Sequence, residues 1–291
     1  MPEPAPEKYG PLRPLLGAFL CYAVFRVAFW ILASVVEFLG GRMMAITIPM
    51  LMAATGANAL SMATFEARGL SDLGLEWNDR AVRNLTLGAV LGLAAAALVV
   101  LPAAALGMAH FRWVPGADVS WRAALFMPVL LLCGAMGEEI AFRGFVLQYL
   151  IRGWGDGKRP WIAIVLTGAL FGWLHNENPG ATPLSDVNTA LFGILFGCAL
   201  LRSHDLWLPI GLHFGWNVAL PFLGVAVSGL TIRVAGYELV WTTSDLWSGG
   251  SYGPEASVLT SAILAILFVT IWKFPIHKGR AWLLEQPPAA P

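Results

Sequence analysis

The sequence predicts an all-α fold of the polytopic membrane kind, and three observations lead there. Of the 291 residues, 57% are hydrophobic and 12% are charged, about half the ~25% charge of an ordinary soluble domain. The mean hydropathy is +0.68. Eight separate stretches are apolar enough to be read as spans. A water-soluble enzyme lacks a wetted surface at this composition, and a disordered chain would need the opposite balance. The 18 basic and 18 acidic residues cancel, leaving no net charge to hold a nucleic-acid backbone. Cys21, Cys133 and Cys198 all sit in apolar stretches, with neither a disulfide framework nor a CxxC pair.

A bilayer core of about 30 Å needs roughly 20 apolar residues of helix, and lipid leaves no other open structure its backbone hydrogen bonds. The first stretch, Leu15–Leu39, exceeds the apolar core of a signal peptide, and is read as a retained anchor. Met43–Phe65 follows. Leu85–Met108 carries no charge. Ala123–Ile151 is interrupted by a charged cluster. Trp161–His175 begins after Pro160 and ends at Asn176-Glu177-Asn178-Pro179-Gly180. Leu184–Leu201 is short and opens with Ser185, Asp186 and Asn188, Asp186 being the expected N-cap near the outer surface. Leu206–Ser228 and Ser257–Trp272 complete the eight. Residues 1–14 and 276–291 read as Pro-rich cytoplasmic tails. Residues 15–275 then form one transmembrane domain with a motif core at 123–228, without a repeat or a second domain.

With eight spans both ends share a side. That side receives Lys8, Arg13, Arg68, Arg80, Arg83, Arg152, Lys158, Arg159, Arg202, Lys273, Lys278 and Arg280, which is twelve. The other receives Arg42, Arg112, Arg122 and Arg233, which is four. The bias places both termini in the cytoplasm, and Trp154, Trp161, Trp207 and Trp272 fall near the same edge as an aromatic belt. A cell membrane, the bacterial inner membrane, is the expected location. The long outer connection from about Gly229 to Glu255 caps one mouth of the bundle, with no chemistry assigned to it.

Ionisable residues inside spans cost several kcal/mol unless they meet partners or water. Glu138-Glu139-x-x-x-Arg143 breaks the fourth span. Adjacent carboxylates project about 100° apart, while Glu139 and Arg143 at i,i+4 can pair. Glu138 is then free to face a cavity as a general base. The plainer reading is a structural ion pair plus a spare carboxylate. His175 closes the fifth span, with Gly168 and Gly172 nearby to admit another backbone or a substrate; alone, such a histidine is more often a packing residue. His213 and Asn217, also i,i+4, share a face of the seventh span and can donate two hydrogen bonds to a developing oxyanion, or join two helices as polar glue. Gly211 and Gly215 lie opposite and permit tight packing. Gly193-x-x-x-Gly197 reads as a contact face within the monomer. Arg26 and Glu37 read as structural.

Glu138-Glu139-x-x-x-Arg143, then Phe171-x-x-x-His175, then His213-x-x-x-Asn217 resembles, in order, the signature of the CPBP membrane proteases, which include the type II CAAX prenyl endopeptidases and bacteriocin-processing relatives. The resemblance implies an intramembrane endopeptidase with its cavity open to the cytoplasm. It implies that Glu138 and His175 activate water, that His213 and Asn217 stabilise the oxyanion, and that Glu139 with Arg143 orders the site. Glu138, His175 and His213 could also supply three ligands of a catalytic zinc with water in the fourth place; the metal-free version, with no cofactor, is preferred. The substrate would be a membrane-associated peptide or protein, prenylated or not.

Two other functions fit the same residues. A proton- or ion-coupled transporter would use buried acids and histidines as a relay, although no inverted repeat is evident. A non-catalytic relative would keep the motifs for folding while binding a membrane partner. One geometric difficulty is depth. His175 lies about 22 Å beyond Pro160 at 1.5 Å per residue, and His213 only about 10 Å beyond Leu206. The two meet only if the fifth helix starts outside the hydrocarbon or tilts, or if a helix breaks.

Overall fold

The computed structural model describes residues 12–116, 121–154 and 159–285. The long apolar helices are α1 (Leu12–Gly40), α2 (Arg42–Glu66), α3 (Asp79–Ala105), α4 (Trp121–Arg143), α5 (Phe145–Trp154), α6 (Arg159–Leu174), α7 (Pro183–Ser203), α8 (Trp207–Phe222) and α10 (Val258–Lys273). Two single turns, α9 (Asp245–Ser248) and α11 (Trp282–Glu285), lie in the connections. The all-α expectation needs one addition. Strand β1 (Ala109–Trp113) pairs antiparallel with β2 (Tyr237–Trp241), Phe111 opposite Leu239. Five helical stretches are long and apolar enough to cross a membrane, the fourth being α4 and α5 together, while Pro160–Leu174 and Val258–Lys273 are apolar but shorter.

Helix starts follow local chemistry. Asn78 caps α3, accepting from the Arg80 and Ala81 amides at 3.0 and 3.1 Å. The start of α7 corrects the expectation for Asp186. Thr182 is the cap, accepting from the Ser185 amide at 3.1 Å, while Ser185 Oγ accepts from the Thr182 amide at 2.7 Å. Pro183 occupies the first helical position, where its missing N–H costs nothing. Asn188 is buried and donates to the Glu255 and Ser257 carbonyls at 2.8 and 3.0 Å, tying α7 to the start of α10.

The fourth stretch is two helices, not one. Gly144 interrupts it, and side chains take up backbone groups on both sides of the break. Asn58 Oδ1 accepts from the Phe145 amide at 2.6 Å, and Gln148 Nε2 donates to the Arg143 carbonyl at 3.0 Å. A Cβ at Gly144 would strike both Asn58 Oδ1 and the Ile140 carbonyl.

The connections gather on two faces. On one, which we call the strap face, the chain after α10 folds back beneath the bundle. Leu73 bridges to Ala281, the Gly279 amide donates to Ser203 O at 2.5 Å, and Asn84 Nδ2 reaches Asp205 Oδ2 at 2.5 Å and His277 O at 2.8 Å. Arg152 pairs with Glu66, and Trp282 lies under the Arg68 and Arg152 guanidiniums at 4.1 and 4.9 Å. Ala281 and Leu283 are fully buried, so packing continues well past residue 275; the Pro-rich residues at either end lie outside the described part. On the opposite, hairpin face, the β1–β2 sheet, the 175–182 connection and the 223–257 connection pack together. Gly229 N donates to Tyr252 O at 2.8 Å, and Arg112 pairs with Glu238 across the sheet.

Candidate active site

Helix α8 is seated by backbone approach. Gly88 and Gly92 of α3 face Gly211 and Gly215 of α8, and a Cβ at any of the four would strike main-chain atoms of the other helix. This is the contact the sequence expected of Gly211 and Gly215. Gly168 and Gly172 of α6 likewise receive the α7 backbone around Asp186, Ala190 and Ile194, so they admit a helix and not a substrate. Gly193 meets Gly168 within the monomer.

These contacts bring the expected ion pair into the core. Arg143 Nη1 donates to Glu139 Oε1 at 3.2 Å, and both side chains have no solvent exposure. Arg143 Nη2 donates to Gly193 O at 2.8 Å. The rings of Phe142, Phe171 and Phe196 stand 5.7, 4.6 and 5.3 Å from the guanidinium carbon. The same Glu139 oxygen accepts from His213 Nδ1 at 2.8 Å, while Phe196 stacks on the imidazole at 4.9 Å and 13°. His175, one residue past the end of α6, has Nδ1 held 2.7 Å from the Phe171 carbonyl. Both rings therefore carry the proton on Nδ1 and turn Nε2 toward the same point.

Glu138 occupies that point. Its Oε2 is 3.8 Å from His213 Nε2 and 4.0 Å from His175 Nε2, and it is buried without a hydrogen-bond partner. The division between the two glutamates read from helix geometry thus holds, one paired and one turned into a cavity of about 310 Å³. Asn217 lines the same cavity. A gap near 4 Å is too long for a direct bond, but a water placed about 2.8 Å from each atom spans it at an angle of about 90°.

The depth difficulty resolves at α8. Leu206, from which its short depth was counted, is fully buried and donates its amide to Gly74 O at 3.1 Å, so the helix begins inside the protein. His213 is therefore deeper than its residue count suggests.

The sequence missed much of the wall. Ser228 and Gly229 form a two-residue turn with φ of 47° and 80°, and Val227 and Leu230 exchange hydrogen bonds at 3.0 and 2.8 Å across it. Val227, Ser228 and Leu230 line the cavity. Beneath the turn lies Glu255, the one acid of the long connection that is buried. It accepts from the Ser228 amide and from Trp216 Nε1 at 3.1 Å. Burial pushes its carboxyl above the usual range, while those bonds and nearby His175 pull it back. Arg26, expected to be structural, also faces the cavity, 5.7 Å from the Trp30 ring. Nothing local in the sequence marked Glu255 except its being an isolated acid before a helix cap. Glu37 is exposed, away from the site.

The donor types of Glu138, His175 and His213 suit zinc, and as placed Glu138 Oε2 stands wider of both imidazoles than zinc ligands stand from one another. Ligands about 2.1 Å from a tetrahedral ion lie roughly 3.4 Å apart, closer than the 3.8 and 4.0 Å found here. Among the described residues no three His, Cys, Asp or Glu side chains approach closely enough to hold an ion.

Residues 119–219 match the family model for type II CAAX prenyl endopeptidase Rce1-like proteins. This stretch carries the CPBP/CAAX protease signature. It spans α4 through most of α8 and contains all six motif residues, from Glu138 to Asn217. The matched segment thus carries all six motif residues, while α1, α2 and the 227–232 wall of the cavity come from outside it. No curated protein and no solved structure matches the chain. The apolar helices and this match support a multi-pass membrane protein.

Proposed function

We propose that the protein is an intramembrane endopeptidase that hydrolyses a peptide bond of a membrane-associated protein or peptide without a metal. The observation that carries this is the unpartnered Glu138 Oε2 facing two imidazole Nε2 atoms across a gap sized for one water. That water, held by Glu138 and His175, is the nucleophile. Its oxygen attacks the scissile carbonyl carbon while Glu138 takes its proton. The carbonyl oxygen becomes an oxyanion that the Asn217 amide and the protonated His213 ring stabilise. Donation from His213 Nε2 requires the ring to carry both protons, and the Glu139 carboxylate on Nδ1 balances that charge. The C–N bond then breaks, and the proton on Glu138 passes to the leaving nitrogen. The products are a carboxylic acid and an amine.

Glu139 and Arg143 act through His213. The ion pair fixes the carboxylate that orients the ring, while the Gly193 carbonyl and three aromatic rings fix the guanidinium. Eight crossings by α1, α2, α3, α4–α5, α6, α7, α8 and α10 complete the reading.

Purified protein in liposomes tests this against the alternatives. Peptide cleavage detected by mass spectrometry, unaffected by a strong chelator and unaccompanied by pH-gradient-driven flux, is expected. Flux without cleavage would establish a transporter, and processing left unchanged by Glu138→Gln would favour a partner-binding relative. Loss of cleavage with chelator, restored by zinc, would overturn the metal-free chemistry.

A further inference from the structure

The two sidedness expectations drawn from the sequence cannot both hold in this fold. One placed the termini in the cytoplasm by charge; the other placed the cavity mouth there by resemblance. In the structure the first and last described residues, Leu12 and Glu285, lie toward the strap face, while the mouth lies toward the hairpin face. The cavity is lined by midhelix residues and by connections from the hairpin face alone, among them Arg42 at the start of α2, Glu177 to Pro179, and Val227 to Ile232. No residue of the strap-face connections reaches it. The neighbouring cavity of about 320 Å³ between α2, α4 and the 230–233 segment shares Arg42, Met43, Ile46, Leu230 and Ile232 with it, and lies toward the hairpin face as well.

The charges of the two faces differ sharply. Among the described side chains the strap face and adjoining helix ends carry Arg13, Arg68, Arg80, Arg83, Arg152, Arg202, Lys273, Lys278 and Arg280, which is nine. The hairpin face carries Arg42, Arg112, Arg122 and Arg233, which is four. Both sets sit in short connections or within a turn or two of helix ends, where positive charge governs membrane orientation. The bond network within each face fixes which connections lie together, so the count does not depend on where the chain begins or ends.

We infer that the catalytic cavity opens on the non-cytoplasmic side of the membrane and takes its peptide from there. The substrate part rests on the proteolytic reading above. It names the class as a peptide or protein segment displayed at the outer surface, such as an exported peptide or the extracytoplasmic flank of a membrane anchor. A CaaX tail prenylated in the cytoplasm would face the strap, on the wrong side of the bundle.

Thiol labelling in sealed spheroplasts tests the orientation. Glu177→Cys at the mouth and Leu246→Cys in the hairpin-face connection are both exposed positions, and Ser71→Cys is exposed on the strap face. The wild-type chain, with its three thiols inside helices, is the blank. A membrane-impermeant maleimide is expected to label the first two in sealed spheroplasts and Ser71→Cys only after lysis. Labelling of Ser71→Cys before lysis, or protection of the other two until lysis, overturns the inference. The labels are read without cleavage. A chain that labels as expected but cleaves nothing refutes proteolysis alone, while one that cleaves but labels in reverse refutes the orientation alone.

Discussion

At the scale of single residues, the site depends on a charge pair that has no water to fall back on. Glu139 and Arg143 are fully enclosed, and removing one partner of such a pair costs about 3–5 kcal/mol because the other stays buried and unpaired. Arg143→Leu is therefore expected to lower thermal stability in detergent by that amount. Adding Glu139→Gln should recover part of it, a combination that a thermal-shift series reads directly. The six motif residues were legible because charge inside an apolar span is expensive and their i,i+4 spacing assigns faces. Glu255 was not, since its burial depends on the Ser228–Gly229 turn closing over it, a contact between residues 27 apart that no local pattern encodes.

At the scale of elements, the register of α8 against α3 decides where His213 stands. A Cβ at Gly92 would strike Leu212 O and lie 2.6 Å from Trp216 N, main-chain atoms that cannot turn aside. Gly92→Ala should cost about 1–3 kcal/mol by overpacking and displace α8. The expected signature is a fall in kcat at temperatures where the variant is fully folded, measured beside its melting curve; unchanged kcat would show that the register tolerates the shift. Helix positions could be read from hydropathy to within about three residues for six of the eight stretches, while α3 starts six residues before Leu85 and α8 ends six residues before Ser228. The break at Gly144 could not, because the polar groups that complete it, Asn58 and Gln148, lie on other helices or beyond the break. The buried start of α8 was equally hidden, since Gly74, whose carbonyl takes the Leu206 amide, is distant in sequence.

At the scale of the whole molecule, the strap ties α3, the α7–α8 connection and the C-terminal segment together around Asp205. Burial raises the Asp205 carboxyl to about 6, against its ordinary 3.8, although Asn84 and the Leu208 and Trp207 amides pull it down. The folded protein then holds a proton that the unfolded chain has released, so stability is lost as pH rises from about 4 to about 6. The loss is at most roughly 3 kcal/mol. Melting curves across this range should show a slope that Asp205→Asn reduces; an equal slope in both proteins would assign it to other groups. The central claim is also a property of the whole fold, because only the assembled bundle sets Glu138 of α4 between the end of α6 and the middle of α8. The most direct test is kcat of purified Glu138→Gln beside the wild type on one peptide. A loss of at least 10²-fold, the lower end of what a general base contributes, with an unchanged melting temperature, is the result expected. Retention of kcat within about twofold would remove Glu138 from the chemistry.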